Sequence, residues 1–184
     1  MAFFQALPWH EGEEKMHKAL HVPEQDNPTV TGLTQQAASM LQRGPLLAIG
    51  TLDADGKPWT TVWGGEPGFS RPLGQGIIGV RTPVAVAHDP VVATLVGTSA
   101  EGEVVREQGN GRMVAGLAID LETRKRVKLY GRMVAGALGS KTSGEDHESQ
   151  TGAAGVQGEI QLVVRIEQSL GMLNTQAFLL SKDN

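Results

Sequence analysis

Hydroxyl and guanidinium side chains are concentrated in β-branched stretches of the sequence, where neighbouring strands could bring them together. Guanidinium groups and hydroxyls donate hydrogen bonds in geometries that match a phosphate group. Trp59 and Trp63 offer flat apolar surfaces for a ring. The pattern indicates a ligand with a ring and a phosphate, but cross-strand threonine pairs and surface arginines would give the same residues. The hydroxyl and guanidinium residues are Thr60, Thr61, Arg81, Thr82 and Arg126.

The segment 74–79 reads Gly-Gln-Gly-Ile-Ile-Gly and has the glycine spacing of a dinucleotide-binding loop. In a dinucleotide-binding fold this motif follows a strand and opens a helix. Here a loop precedes the motif, a β-branched stretch follows it, and Pro83 lies where the helix would run. We interpret the segment as a strand entered through a glycine-rich loop.

Histidines recur near the N-terminus, where His17 and His21 are four residues apart and His10 lies seven residues before His17. This spacing could place them on one helical face, but no H-E-x-x-H motif is present. We therefore expect solvated side chains and no metal site. The chain has no cysteine, which excludes thiolate nucleophiles, disulfides and iron–sulfur ligation. Any redox chemistry would need a bound cofactor.

The amino-acid composition limits the possible classes of function. The chain has 184 residues, with 16 basic and 20 acidic side chains and a formal net charge of -4, so no basic excess points to nucleic acid or a membrane surface. No apolar run approaches the length of a membrane span, and the N-terminus lacks the pattern of a secretory leader. A cytoplasmic protein is the expectation.

The helices needed around such a site are marked by caps. Residues 9–21 contain helix formers with a thin apolar stripe, and Thr34 can cap a helix that ends at Gly44-Pro45. Asp89-Pro90 is typical of a helix start, and this helix runs through Val96 with an N-terminus that attracts anions.

The strands that would carry the site residues form hairpins. Residues 46–65 predict a hairpin around Asp55-Gly56, followed by a loop over 64–76 and a strand over 77–82. A second hairpin is expected, with strands over 112–121 and 125–135, and 159–167 alternates as a half-buried strand. The hexapeptide Gly-Arg-Met-Val-Ala-Gly occurs at 111–116 and 131–136, which we interpret as two strands of similar composition.

These elements predict a mainly β, α+β fold, a split β-barrel of antiparallel strands with a few peripheral helices. We divide the chain into an N-terminal arm (1–33), a barrel domain (34–170) and a C-terminal tail (171–184). Residues 139–158 are polar and glycine-rich, too poor in apolar anchors to offset their ordering entropy, so a mobile insertion is expected there.

The hairpin Leu-Leu-Ala-Ile-Gly-Thr-Leu-Asp-Ala-Asp-Gly-Lys-Pro-Trp-Thr-Thr-Val-Trp (46–63), followed by Ile-Ile-Gly-Val-Arg-Thr (77–82), resembles the pyridoxamine 5'-phosphate oxidase-like, FMN-binding split-barrel family. The segment 121–131 is similar to the next flavin-facing strand of those proteins. The segments 9–13 and 63–69 resemble a branch of that family found as stand-alone fungal and bacterial proteins or fused to reductase modules.

The resemblance implies a homodimer that binds FMN noncovalently between its subunits, with the phosphate held by basic and hydroxyl residues of adjacent strands. It assigns Arg126 a place near the isoalloxazine ring and His88 a place as a basic phosphate ligand. The implied cofactor-binding residues are Thr60, Thr61, Trp63, Val80, Arg81, Thr82, His88 and Arg126. No catalytic acid or base is assigned.

The function implied by the resemblance is a flavin-dependent oxidoreductase that acts on a small organic substrate, with a separate flavin reductase as a further partner. A flavin-binding or storage module without turnover, pyridoxamine-phosphate-oxidase-type activity and a cofactor-free scaffold are the alternatives. The C-terminus departs from the family: the branch's Asn-Cys-Pro-Lys-Tyr-like segment is missing, and no Arg or His follows Arg165. Vitamin B6 oxidation is therefore not the first choice.

Overall fold

The computed structural model describes residues 5–97, 102–140 and 157–171. Three helices and nine strands are present in these ranges, and none of the helices has the length and hydrophobicity that a membrane crossing requires. The helices are α1 (Glu11–Ala19), α2 (Gln35–Arg43) and α3 (Pro90–Val96). The strands are β1 (Thr29–Thr31), β2 (Leu46–Leu52), β3 (Pro58–Gly64), β4 (Ser70–Gly74), β5 (Ile77–Ala85), β6 (Val104–Arg106), β7 (Met113–Ile119), β8 (Arg126–Ser140) and β9 (Gln157–Gly171).

All strands pair antiparallel in one sheet, in the order β3-β2-β7-β8-β9-β5-β4, with β1 added to β9 and β6 added to β8. The sheet curls until β5 meets β3, where the Thr82 hydroxyl donates a hydrogen bond of 2.5 Å to the Gly64 carbonyl oxygen. No ladder joins β3 to β5 among the described strands, so the barrel is split at this seam. The predicted mainly β, α+β split barrel is confirmed.

The inner face of the sheet forms the core. On β9 the alternate residues Ile160, Leu162, Val164 and Ile166 are all buried, as the period-two pattern predicts. The remaining apolar side chains of the core come from the other strands and from α2 and α3, which pack on the open sides of the barrel. Thr34 caps α2 by accepting from the backbone N–H of Ala37, as predicted.

The predicted loop over 64–76 was wrong in part, because residues 70–74 form β4. The turn after β4 has positive φ at both central residues, Gln75 (50°) and Gly76 (74°), which is the two-residue hairpin conformation that suits twisted strands. Pro72 lies on an edge strand, where a missing N–H costs little. The glycine motif of 74–79 is therefore a hairpin turn, and no helix follows it.

Strand ends also differ from the sequence predictions. β6 was not predicted, β5 continues to Ala85, and β8 and β9 extend to Ser140 and back to Gln157. The outer parts of the segment 139–158 are thus strand, because each end pairs with the other as a ladder. The rest of the predicted mobile insertion, residues 141–156, lies outside the described residues, as does the predicted tail beyond 171.

The β8–β9 ladder has a register shift next to Gly131, where the two backbones approach closely. A Cβ at this position would overlap the Arg165 carbonyl oxygen, whereas a Cβ at Gly139 on the same strand meets no atom within 4 Å. We expect Gly131→Ala to destabilise the protein by about 1–3 kcal/mol, because the backbone must move. Gly139→Ala is the matched control and should be near neutral. Urea unfolding of both variants measures the difference, and equal midpoints would contradict the described approach.

Candidate functional site

A groove of about 440 Å³ runs across the outer face of the sheet, the face that points away from the core. Strands β4, β5, β9, β8 and β6 form it. Its floor consists of short side chains, and longer side chains stand on either side. Volumes of this size are typical of small-molecule sites. The lining residues used below are Arg71, Leu73, Gly79, Arg81, Val104, Ala135, Gln161 and Val163.

The strand register explains the shape of the groove. Arg71 pairs with Gly79, Gly79 with Val163, Val163 with Ala135, and Ala135 with Arg106 on β6. Residues opposite one another in a ladder share a face, so one row across five strands reads Arg-Gly-Val-Ala-Arg. The three small residues leave a flat apolar floor between two guanidinium groups.

Arg81 lies two residues after Gly79 on β5 and is therefore on the same face of the sheet. Its Nε donates a hydrogen bond of 2.6 Å to Oε1 of Glu159, and the Arg81 side chain is 68% exposed. The bond from Arg81 is the main reason that the pKa of Glu159 lies below its usual value, and a bond from Gln161 lowers that pKa further. One of the five donors of Arg81 is thus used to fix the side chain, and its terminal nitrogens stay available.

A second polar cluster lies on the inner side of β3, at the start of α3. The Asp89 carboxylate caps α3 by accepting from the backbone N–H groups of Val91 and Val92. Its other oxygen accepts from Trp63 Nε1 at 2.8 Å and from the Thr61 hydroxyl at 3.1 Å. The carboxylate therefore occupies the helix start, where the sequence suggested an attraction for anions.

The predicted site residues fall into three groups. Val80 and Arg81 line the groove. Thr61 and Trp63 bind Asp89, and the buried Thr82 closes the seam with Gly64.

The third group is exposed and makes no side-chain hydrogen bond or ion pair with another described residue. Thr60 faces outward on β3, His88 precedes the cap of α3, and Arg126 begins β8 opposite Ile119. The structure brings none of these three into contact with the groove residues.

Sequence reasoning missed Arg71, Arg106 and Glu159. Arg71 and Arg106 lie on β4 and β6, which, like β1, were not predicted. The signal for β4 was present as the Gln75-Gly76 turn between two short strands. Glu159 was read as a strand residue, and only the register shows that it pairs with Pro83, two residues from Arg81 on the same face of β5.

Charge is unevenly distributed in the fold. The chain has a net charge of -4, but the described strands carry seven basic side chains and two acidic ones. The sheet surface is therefore electropositive and attracts anionic ligands. The basic residues are Arg71, Arg81, Arg106, Arg126, Lys128, Arg132 and Arg165, and the acidic residues are Glu159 and Glu167.

Two of the N-terminal histidines make local contacts in and beside α1. The His10 side chain caps α1, and the His17 ring packs edge-on against Trp9 with centroids 4.6 Å apart. Within the described ranges no three side chains of the His, Asp or Glu type lie close enough to hold a metal ion.

Asp89 can be tested as the link between β3 and α3. Asp89→Ala should destabilise the protein by about 2–4 kcal/mol, because it removes a helix cap and leaves the buried Trp63 N–H unpaired. In a Trp63→Phe background the loss should be smaller, since the unpaired donor is gone. Asp53→Ala is the control, because the bonds that its carboxylate accepts from Asp55, Lys57 and Trp59 are exposed and water can replace them. Denaturant unfolding followed by circular dichroism measures all variants. An equal loss in both backgrounds would show that the Trp63 bond contributes nothing.

No protein-family model and no curated protein matches the chain. Three solved structures resemble it distantly. The first is an F420 reductase (14% identity, 71% of this chain and 93% of that chain covered, TM-score 0.42). The second is a variant of HupZ from Group A Streptococcus (14% identity, 76% and 99% covered, TM-score 0.41). The third is titled a putative 5-nitroimidazole antibiotic resistance protein from Bacteroides thetaiotaomicron (9% identity, 78% and 88% covered, TM-score 0.32). We assign no ligand or activity to this chain from them.

Proposed function

We propose that the chain binds FMN in the outer-face groove, as a homodimer, and acts as a flavin-dependent oxidoreductase on a small organic substrate. The observation that carries the proposal is the row in which Arg71 and Arg106 flank an apolar floor, with Arg81 one step along. FMN combines a flat apolar ring system with a phosphate, and this groove offers a surface for each.

The residues present fit such a ligand. A Cβ at Gly79 would lie 3.1 Å from Cδ1 of Leu73, so a larger residue would crowd the side of the groove and raise its floor. Glycine at this position keeps the floor flat, and Leu73 adds an apolar edge. Val163 and Ala135 continue the floor with short side chains. A planar ring can lie on this surface without displacing any core residue.

We assign the phosphate to Arg71 and Arg81. Arg71 forms no ion pair with another described residue, and Arg81 is held in place by Glu159 while its terminal nitrogens remain free. We assign Thr61, Trp63, Val80 and Thr82 to the framework beneath the site, because their side chains face inward.

Thr60, His88 and Arg126 are exposed and free to approach the ligand from a second copy. Bound FMN would supply electron and hydride transfer. The chain's residues would bind and orient the cofactor and exclude water from the floor. None of the described residues that line the groove is acidic. Glu159 contacts the groove through its bond to Arg81, which makes it a positioning residue.

Phosphate recognition by Arg81 separates FMN from riboflavin. Arg81→Ala should weaken FMN roughly tenfold to a hundredfold, since a charge-assisted hydrogen bond contributes about 1.5–3 kcal/mol. Riboflavin lacks the phosphate, so its weaker binding should change little. Lys128→Ala is the matched control, because it removes a cation from the same sheet face outside the groove. Flavin fluorescence titrations measure the affinities of both flavins for the wild type and the two variants. Equal losses for both ligands would mean that Arg81 acts structurally.

The same purified protein distinguishes the alternative functions. A protein that carries no flavin and binds none would be a scaffold, and this result would overturn the proposal. A yellow protein that reduced nicotinamide does not bleach, alone or with a flavin reductase, would be a storage module. Turnover of pyridoxamine phosphate would identify an oxidase of that type.

The proposal of a homodimer is supported by apolar side chains on the other half of the outer face. Val62 is 65% exposed and Leu52 is 42% exposed, and they lie on neighbouring strands. A monomer would leave this patch in water. Light scattering at micromolar concentration should give about twice the 19.5 kDa chain mass. Val62→Lys should shift the mass toward the monomer, whereas Leu121→Lys, in an exposed turn, should not. A monomer that binds FMN would contradict the dimer.

A further inference from the structure

Arg106 stands on the side of the groove opposite Arg71 and Arg81. Its side chain is exposed and forms no hydrogen bond or ion pair with another described residue. Val104, two residues earlier on β6, lines the groove. Residues two apart on a strand share a face, so Arg106 belongs to the same side of the sheet. The groove therefore has an uncompensated cation on each side.

One phosphate cannot neutralise both sides. Four strand spacings separate β4 from β6, on the order of 19 Å across the sheet. Charges in water are screened beyond roughly 8–10 Å at moderate ionic strength. A phosphate bound at Arg71 and Arg81 consequently leaves the charge of Arg106 uncompensated. The ligand or ligands of this groove should carry a second anionic group at that end.

Two acidic side chains among the described residues near the groove already have cationic partners. Glu107 follows Arg106 but pairs with Arg112, which also donates to the Leu95 carbonyl oxygen. Glu159 is on the opposite side and pairs with Arg81. Ala135, across the ladder from Arg106, is part of the floor. Space and charge at Arg106 are thus both open toward the groove.

We propose that the groove takes an anionic organic substrate, bearing a carboxylate or a phosphate, and that Arg106 binds this anionic group. The inference rests on the proposed function, since it places the substrate beside the cofactor on the shared floor. Arg71 and Arg81 take the cofactor's phosphate, and Arg106 selects the substrate by its charge. A neutral compound of the same size would lack this contact and bind more weakly.

The test uses the full chain saturated with FMN, so that the first anion site is filled. Phenyl phosphate and benzoate serve as anionic probes, and benzyl alcohol is the neutral probe of similar size. Affinities for the wild type and all variants are measured by isothermal titration calorimetry, and shifts of arginine Nε–H signals in NMR titrations locate the bound anion. The Arg106 signal is identified by its loss in Arg106→Gln. Lys128→Gln removes the same charge elsewhere on the sheet and is the matched control.

The anionic probes should shift the Arg106 signal. Arg106→Gln should lower the affinity for the preferred anion roughly tenfold or more, as expected for loss of a charge-assisted bond. The affinity of Arg106→Lys should lie between those of the wild type and Arg106→Gln. Benzyl alcohol and FMN should bind all variants alike. Phenyl phosphate and benzoate distinguish a phosphate from a carboxylate substrate. Circular dichroism confirms folding, and Arg106→Lys answers the question if the glutamine variant is unstable.

The failure of this inference differs from the failure of the proposed function. If FMN binds and Arg106→Gln leaves both anions as tight as Lys128→Gln does, the inference is overturned and the cofactor proposal stands. If FMN does not bind the wild type, the proposed function fails. The titration of the free protein then shows whether Arg106 still selects anions. If Arg106 selects anions in the flavin-free protein, the groove is an anion site without a flavin. If it does not, both the proposed function and this inference are overturned.

Discussion

Every other strand of the barrel is positioned by the long ladder between β8 and β9. Each of these strands has 15 residues, and between them they pair with β1, β5, β6 and β7. Two register shifts, near Gly131 and Ala135, bend the ladder. A bulge adds one residue and increases the local twist, which lets one pair of strands serve both halves of a closed barrel. The groove depends on the same register, because β6 and β5 are aligned with each other only through β8 and β9.

The separation of charge between sheet and periphery follows from this architecture. Inward positions of the strands must be apolar, so strand cations can point only outward, where the curved sheet concentrates them on one surface. The acidic excess lies elsewhere, for example in the first turn of α1. A modest negative net charge therefore conceals an electropositive sheet, and the whole-chain balance says little about the ligand. Position within the fold decides which charges act together.

The sequence was sufficient where local chemistry determines structure, as at the Thr34 and Asp89 caps and the hairpin around Gly56. It was insufficient where the face of a strand depends on its neighbours. The hexapeptide repeat shows this directly. Val114 is buried while Val134 is 37% exposed, and Met133 is buried while Met113 is only partly so. A shift of one residue reverses every side chain. For the same reason Arg81 could be named as a candidate, whereas its row with Arg71 and Arg106 required the register.

The strands at the two sides of the groove are held by fewer hydrogen-bonded neighbours than the strands of its floor. The floor strands β5, β8 and β9 each have ladders on both sides. Among the described strands, β4 (five residues) pairs only with β5, and β6 (three residues) pairs only with β8. Segments with few hydrogen-bonded neighbours open at lower free energy than the core of a sheet. A groove with a stiff base and compliant sides can therefore adjust its width to molecules of different thickness while their stacking plane stays fixed. Strand connectivity thus sets how permissive the groove is toward the shape of what enters it.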